Sequence, residues 1–358
     1  MIRLLDNTKI LEELVELHSS TFCYGNEHSF DVDVIHLAVD EFRFNKFNKF
    51  STCPTVFVDA ESEHGLMYNS DRVSYSTAKQ KRPNSIFLTT FVTNNFTDMC
   101  FYPHDWIKIS SLYCKDVNIG KTQIFASKPG LSLLGGWTPK RKIVFDEIKQ
   151  HNDKILISYY PRQSGDWDSL HNIDSDYYVD PLIPILDSPE FRKDCVDGNR
   201  LFTQEVIKGT KKILYSYIIP TKLYGSSDIH FIAETEDDFQ LKENQISSGF
   251  YVTEKSVKSI LTLRPWVILG CENFLEHMRT LGFDTFGDII DESYDLEPNT
   301  ATRAKLAAES FIDFVKQDKK TRKLALQKIE NRLIRNKKHM QDLYHWTLPA
   351  AKMIKELA

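Results

Sequence analysis

The stretch Lys128–Tyr159, KPGLSLLGGWTPKRKIVFDEIKQHNDKILISY, decides the fold class. Leu131–Leu134 is a short apolar run, Gly135-Gly136-Trp137-Thr138-Pro139 reads as a turn, and a helix is expected from about Lys140 to His151. Ile155–Tyr159 (ILISY) then reads as a second strand. Strand, glycine-rich turn, helix, strand is the order of a βαβ unit, and such units build parallel sheets because the return crossover lays a helix on the sheet face.

The same grammar extends in both directions. Upstream, Val32–Val39, Thr55–Val58 and Ser85–Val92 are rich in Val, Ile, Phe and Thr and read as strands, while Ile10–His18 carries apolar residues at helical spacing. Glu61–Pro83 is polar, with Lys79–Arg82 basic, and reads as a surface loop. Downstream of an irregular region, Pro161–Asp197, strands are expected at Leu214–Ile219, Ile229–Ala233 and Trp266–Leu269, with helices at Glu254–Thr262 and Asn273–Leu281. Asn299–Gln341 is helical by composition, and Pro349 is the only later break. The 358 residues, 41% of them hydrophobic, suffice for two cores. The expectation is two α/β domains followed by a helical C-terminal extension.

Charge and cysteine usage narrow the class. The formal net charge of -5 speaks against a protein that coats nucleic acid with an overall basic surface. That mean conceals an asymmetry: residues 301–358 hold 14 Lys/Arg against 6 Asp/Glu, leaving 31 against 44 in residues 1–300. A basic tail of +8 follows an acidic body of -13. Six scattered cysteines form no CxxC pair or Cys/His cluster, so neither a zinc site nor a redox dithiol is expected, and the thiols read as reduced. No apolar run approaches the roughly 20 residues of a membrane span. The opening Met1-Ile-Arg-Leu-Leu-Asp lacks the pattern of a signal peptide. The expected setting is cytoplasmic, away from membranes.

Candidate chemistry concentrates in Gly249–Gly270, GFYVTEKSVKSILTLRPWVILG. Thr253 reads as an N-cap and Glu254 suits the first turn of the following helix. A helix N-terminus beside a parallel sheet is an anion site, to which Lys255 and Lys258 add positive charge and Glu254 a group for ribose hydroxyls. Lys140, Arg141 and Lys142 start the earlier helix and Glu234 follows Ile229–Ala233, both at strand carboxyl ends where ligands of open α/β sheets collect. Each has a plainer explanation, as solvated surface charge or a loop carboxylate. Together they suit an anionic ligand carrying hydroxyls. There is no GxxxxGK[ST] P-loop and no GxGxxG after a strand.

Tyr251-Val-Thr-Glu-Lys-Ser-Val-Lys258, with Arg264-Pro-Trp-Val-Ile-Leu-Gly270, resembles the donor-site motif of fucosyltransferase and exostosin-like glycosyltransferases. More closely it resembles the glycosyltransferase-like proteins of tailed bacteriophages, which pair it with an E-T after a strand (Glu234-Thr235), an L-G-F-x-T-F (Leu281–Phe286) and a D-E-S-Y-D (Asp291–Asp295). Two departures stand out: the first Arg of the family's R-P-x-R helix start is absent, and Ser259 replaces the Pro that follows the second Lys. The resemblance covers about residues 128–340.

It implies a GT-B fold, with two Rossmann-like domains facing across a cleft: residues 1–127 on the acceptor side, 128–298 binding the nucleotide sugar, and 299–358 the basic extension. It implies a transferase using a UDP- or GDP-linked sugar with no metal cofactor, as a monomer or a dimer. Donor contacts would come from Arg141, Lys142, Tyr251, Thr253, Glu254, Lys255 and Lys258. Glu234 would touch the donor or sit near the anomeric carbon. The general base for the acceptor hydroxyl is sought after the strand Thr55–Val58, at Asp59, Glu61 or His64.

Lys316–Lys338 reads as a basic helix with a narrow apolar seam at Leu326, Ile329 and Leu333. One reading is a solvated face. The other is a rim for nucleic-acid phosphates formed by Lys319, Lys320, Arg322 and Lys323, joined by Lys79, Lys81 and Arg82. The expected acceptor is a hydroxymethylated base in double-stranded phage DNA. The alternatives are a glycan or lipopolysaccharide acceptor, and a nucleic-acid-binding protein with a transferase-like fold but no catalysis.

Overall fold

The computed structural model of the chain describes residues 1–5, 11–25, 31–36, 54–59, 80, 82–89, 99–114, 128–163, 178–179, 202–203, 213–214, 219, 221–234, 250 and 252–358. The chain folds as a mixed α/β protein with two compact units. One gathers Met1–Ser111, Phe239–Val252 and Asp342–Ala358; the other Leu112–Asp238 and Thr253–Gln341.

The first unit is built on six parallel strands: β1 (Ile2–Leu5), β2 (Phe22–Tyr24), β3 (Val32–His36), β4 (Thr55–Asp59), β5 (Ser85–Thr89) and β6 (Met99–Phe101). Their order is β2-β1-β3-β4-β5-β6, with α1 (Glu12–Leu17) connecting β1 to β2 and α2 (His104–Cys114) following β6. All five residues of β5 are buried, as a central parallel strand covered on both faces requires. The C-terminal helix α9 (Leu343–Leu357) belongs here, with Trp346 edge-on to Trp106 at 5.8 Å. Pro349 therefore sits inside a helix and does not break it. The buried face of Trp346, Ala350, Ala351 and Ile354 opposes the roughly 3 kcal/mol that an interior proline costs.

Arg82, expected on a surface rim, is buried. It is 2% exposed, donating to Thr55 Oγ1 at 3.5 Å with Asp33 Oδ2 at 3.8 Å, so it clamps the amino ends of β3 and β4 and is no surface rim residue. A guanidinium has no low-cost buried state without such partners.

In the second unit β7 (Gly130–Trp137) leads through α3 (Pro139–Ile148) and a 3₁₀ turn to β8 (Ile155–Gln163). After β9 (Tyr178–Val179), the antiparallel pair β10 (Phe202–Thr203) and β11 (Ile213–Leu214), and α4 (Thr221–Gly225), come β12 (Ile229–Ala233), α5 (Glu254–Leu261) and β13 (Trp266–Leu269). The sheet order is β13-β12-β7-β8-β9; all neighbours are parallel except β8 and β9. The expected turn at Gly135-Gly136-Trp137 is strand. β7 runs on through register shifts, Gly135 opposing Tyr159 and Trp137 opposing Gln163, the bulge that strand glycines permit.

Three helices close this unit: α6 (Phe274–Thr280), α7 (Thr300–Lys316) and α8 (Lys319–Gln341). Phe311 and Val315 of α7 press on Gly130, where an added Cβ would lie 2.8 Å from Phe311 Cζ and 3.0 Å from Val315 Cγ1. Residues 299–358 thus do not stand apart as an extension, because α7 and α8 are structural to the second unit and α9 to the first. The buried seam of α8 is Ile329, Leu333, Asn336 and Met340, while Leu326 is half-buried. Among the described residues no helix is long and apolar enough to cross a membrane.

Candidate functional site

The order of the second sheet reverses between β7 and β12: the chain proceeds outward from β7 to β8 and β9, then returns to the other side of β7. Loops at the carboxyl ends of such neighbours diverge and leave a crevice, the usual ligand position in open α/β sheets. Three elements converge on this edge: the start of α3 after β7, Glu234 after β12, and the start of α5, which leads back to β13.

Each start has a local cause. Thr138 caps α3, accepting from Arg141 N at 3.3 Å, with Pro139 in the first turn. Thr253 caps α5, accepting from Lys255 N at 3.3 Å. Apolar residues of α5 (Val257, Ile260, Leu261) are buried, which fixes its N-terminus at the sheet edge.

Glu234 is 1% exposed, its N–H bonded to Leu269 O at 3.0 Å. The Thr253 hydroxyl donates to Glu234 Oε2, while Thr253 Oγ1 also accepts from Lys255 Nζ at 3.2 Å. Glu234 Oε1 is buried without a hydrogen-bond partner among the described residues. Burial raises the Glu234 pKa, an effect opposed by Lys255 and Thr253. Lys255 Nζ also lies 3.0 Å from Glu254 Oε1. Burial acts to raise Glu254 as well, but Lys255 and Lys258 outweigh it and hold the carboxyl at about 2. Arg141, 7% exposed, donates from Nη2 to Ala233 O at 3.4 Å, beside Glu234. Lys258 is 6% exposed.

Six sequence-selected residues thus share one edge: Arg141, Glu234, Thr253, Glu254, Lys255 and Lys258. Lys142 does not join them. It points to solvent and pairs with Asp146 one turn on, an ordinary i,i+4 ion pair. Asp59 ends β4 in the first unit. Glu61, His64, Lys79, Lys81 and Tyr251 lie outside the described residues. Of the expected rim, Lys319, Lys320 and Lys323 are exposed, whereas Arg322 is committed to Asp228 at 2.8 Å.

Two groups at the carboxyl end of β13 were undervalued by sequence reasoning. Lys140 is 1% exposed on the first turn of α3, and a lysine is almost never fully buried unless paired. Asp295 is 3% exposed; its Oδ2 accepts from Leu275 N at 2.9 Å, its Oδ1 has no partner among the described residues, and burial pushes its carboxyl up to about 6. Cys271, two residues past β13, is buried, its thiol pushed up to about 12 chiefly by burial, with Asp295 acting to raise it and Lys140 to lower it. The available signal is the Asp291–Asp295 motif, which an acidic residue closes.

The Leu281–Phe286 motif has a structural role. Gly282 at φ +94° lies against His339 of α8, whose ring donates to Leu281 O at 2.7 Å. Asn336 exchanges two 2.8 Å bonds with the Asp284 backbone, and Arg332 grips Asp288 through two bonds of 2.6 and 2.7 Å. Much of the basic tail is therefore spent inside the fold. Among the described residues no three His, Cys, Asp or Glu side chains gather into a group that could hold a metal ion. No protein-family model matches the chain, and no curated protein sequence matches it.

Proposed function

We propose that the chain is a glycosyltransferase of GT-B type that moves a sugar from a nucleotide sugar to a hydroxyl acceptor. The observation that carries this reading is the Glu234–Thr253 pair at the start of α5, flanked by Lys255 and Arg141 at the reversal of the strand order. It offers positive charge and a helix N-terminus for a diphosphate beside carboxylates for hydroxyls.

In this mechanism Lys255, Arg141 and the N–H groups of α5 hold the diphosphate, and Glu254 takes the ribose hydroxyls. Glu234 Oε1 accepts from a further donor hydroxyl. The anomeric carbon–oxygen bond breaks with its electron pair passing to the phosphate oxygen, and the acceptor oxygen forms the new bond. The acceptor proton passes to a general base within hydrogen-bond reach of the acceptor hydroxyl. We take the acceptor hydroxyl to belong to a hydroxymethylated base of double-stranded DNA, a polyanion that the exposed Lys319, Lys320 and Lys323 suit by charge alone.

The test is a thermal-shift panel of UDP, GDP and their sugar conjugates. Ligand at about 100 times its Kd stabilises by about 2.7 kcal/mol. An upward shift with one nucleotide, lost in Lys255→Ala and Glu254→Ala, supports the assignment. Transfer that survives both substitutions unchanged removes it.

A further inference from the structure

We infer that the exposed tip of α8, Lys319, Lys320 and Lys323, docks the phosphate backbone of duplex DNA at the amino edge of the second sheet, opposite the edge that carries the candidate donor site. The inference rests on the DNA reading above and adds a location to it.

Three contacts fix the tip there. Arg322 Nε reaches Asp228 Oδ2 at 2.8 Å, and Asp228 immediately precedes β12. Asp228 N bonds Pro129 O at 2.8 Å, and Pro129 immediately precedes β7. Phe311 and Val315 of α7 lie against Gly130, the first residue of β7, so Lys316 at the end of α7 emerges at the same edge. Glu234 follows the last residue of β12. Five residues of strand, roughly 16 Å, separate the two edges. The tip is therefore not a rim of the donor crevice but a second, separate surface.

The local charge fits a polyanion. Lys316–Lys323 contains five basic side chains and one acidic one. Arg322 is neutralised by Asp228, and Asp318 caps α8, accepting from Lys320 N at 2.9 Å and Thr321 N at 3.1 Å. Among the described residues no carboxylate pairs with Lys319, Lys320 or Lys323. A membrane-binding helix would show an apolar face, but Leu324 is the only large apolar side chain exposed on α8. A docked duplex is tethered while the bases that react lie elsewhere along it, which separates affinity from chemistry.

The experiment uses the full chain and a short fluorescent DNA duplex, with anisotropy followed from about 50 to 200 mM salt. Lys319→Gln/Lys320→Gln/Lys323→Gln is compared with Lys305→Gln/Lys352→Gln/Lys355→Gln, an equal charge change at exposed lysines elsewhere. The tip variant is expected to lose affinity about tenfold or more, its log K against log salt slope shallower by roughly 2.7 for three lost contacts. The control variant should retain both. The thermal response to UDP or GDP, measured in parallel, should be the same in all three proteins. No binding by the unaltered chain overturns both this inference and the DNA acceptor. Binding lost equally in both variants, or kept by the tip variant, overturns the docking site alone. Tip-dependent binding to vesicles of anionic phospholipid without binding to DNA overturns it in favour of a membrane surface.

Discussion

His230 Nδ1 on β12 lies 2.8 Å from the hydroxyl of Ser259 on α5, while its Nε2 lies 2.9 Å from Tyr224 O. The carbonyl only accepts, so Nε2 carries the proton and Ser259 donates to Nδ1. This bond ties α5 to the strand that leads into Glu234. Ser259→Ala leaves Nδ1 buried with no donor, and a loss of about 1–3 kcal/mol is expected in chemical denaturation. Ser259→Pro should cost more, since proline in the interior of α5 removes a backbone bond and clashes with the preceding turn.

The same histidine makes stability depend on pH. Burial, aided by Arg264, lowers its pKa from 6.5 to about 3. A depressed histidine stays neutral in the fold while the unfolded chain takes up a proton, so its stabilising effect is complete above 6.5 and is lost as pH falls from 6.5 toward 3. The slope contributed is about 1.4 kcal/mol per pH unit within that window. His230→Gln should flatten the unfolding free energy between pH 6.5 and 4; an unaltered slope would show that other groups set it.

Thr253 couples the cap of α5 to Glu234, so its hydroxyl serves two functions at once. Thr253→Val keeps the shape but removes the donor to a buried carboxylate and the acceptor for Lys255 N. Stability should fall by about 1–3 kcal/mol. Thr253→Ser restores the hydroxyl and should recover most of that loss, and any nucleotide-dependent thermal shift with it. Rescue of stability without rescue of the ligand response would restrict Thr253 to a structural role.

Gly130 tests how tightly α7 belongs to the second unit. Gly130→Ala drives a methyl to 2.8 Å from Phe311 Cζ and 3.0 Å from Val315 Cγ1, with Ile155 Cγ1 at 3.2 Å. Three buried neighbours on two elements leave little room to yield, and overpacking of this kind costs about 1–3 kcal/mol. Phe311→Leu should partly relieve Gly130→Ala, giving a coupling energy in a double-mutant cycle. Strict additivity would mean that α7 shifts without resistance.

Sequence reading succeeded where the signal was local. β12 and β13 are short, fully buried and bounded by turn residues, and both start and end where the apolar runs do. The cap at Thr253 is legible for the same reason, whereas Thr138, read as part of a turn, caps α3. Sequence reading failed where the deciding partner is distant. Gly135-Gly136 signals a turn, yet pairing with β8 holds it as strand. Arg82 reads as surface charge because Asp33 and Thr55 are 49 and 27 residues away. The basic tail reads as an external patch because nothing near Arg332 or Arg335 announces Asp288 and Asp284, 44 and 51 residues earlier. Exposed pairs like these are worth little singly, about 0–1 kcal/mol. Their effect is to spend charge that the sequence appeared to leave for a partner.

Asp295 supplies a pH effect of opposite sign to that of His230. Burial raises its pKa from 3.8 to about 6, against the bonds from Leu275 N and the charge of Arg279. A carboxyl raised in the fold holds its proton where the unfolded chain has released it. Its contribution therefore favours the fold below 3.8 and is lost as pH rises from 3.8 to 6, leaving the ionised group a burden above that. Asp295→Asn cannot ionise. Its side-chain oxygen can still accept from Leu275 N, although its amide enters a position with no partner among the described residues. The variant should therefore be weaker than the unaltered chain at pH 4 and should gain on it steadily as pH rises to 6, by about 1.4 kcal/mol per unit. Urea unfolding of both proteins at pH 4, 5, 6 and 7 measures the difference. A gap between the two that does not change with pH would show that Asp295 ionises in the fold as it does in the unfolded chain.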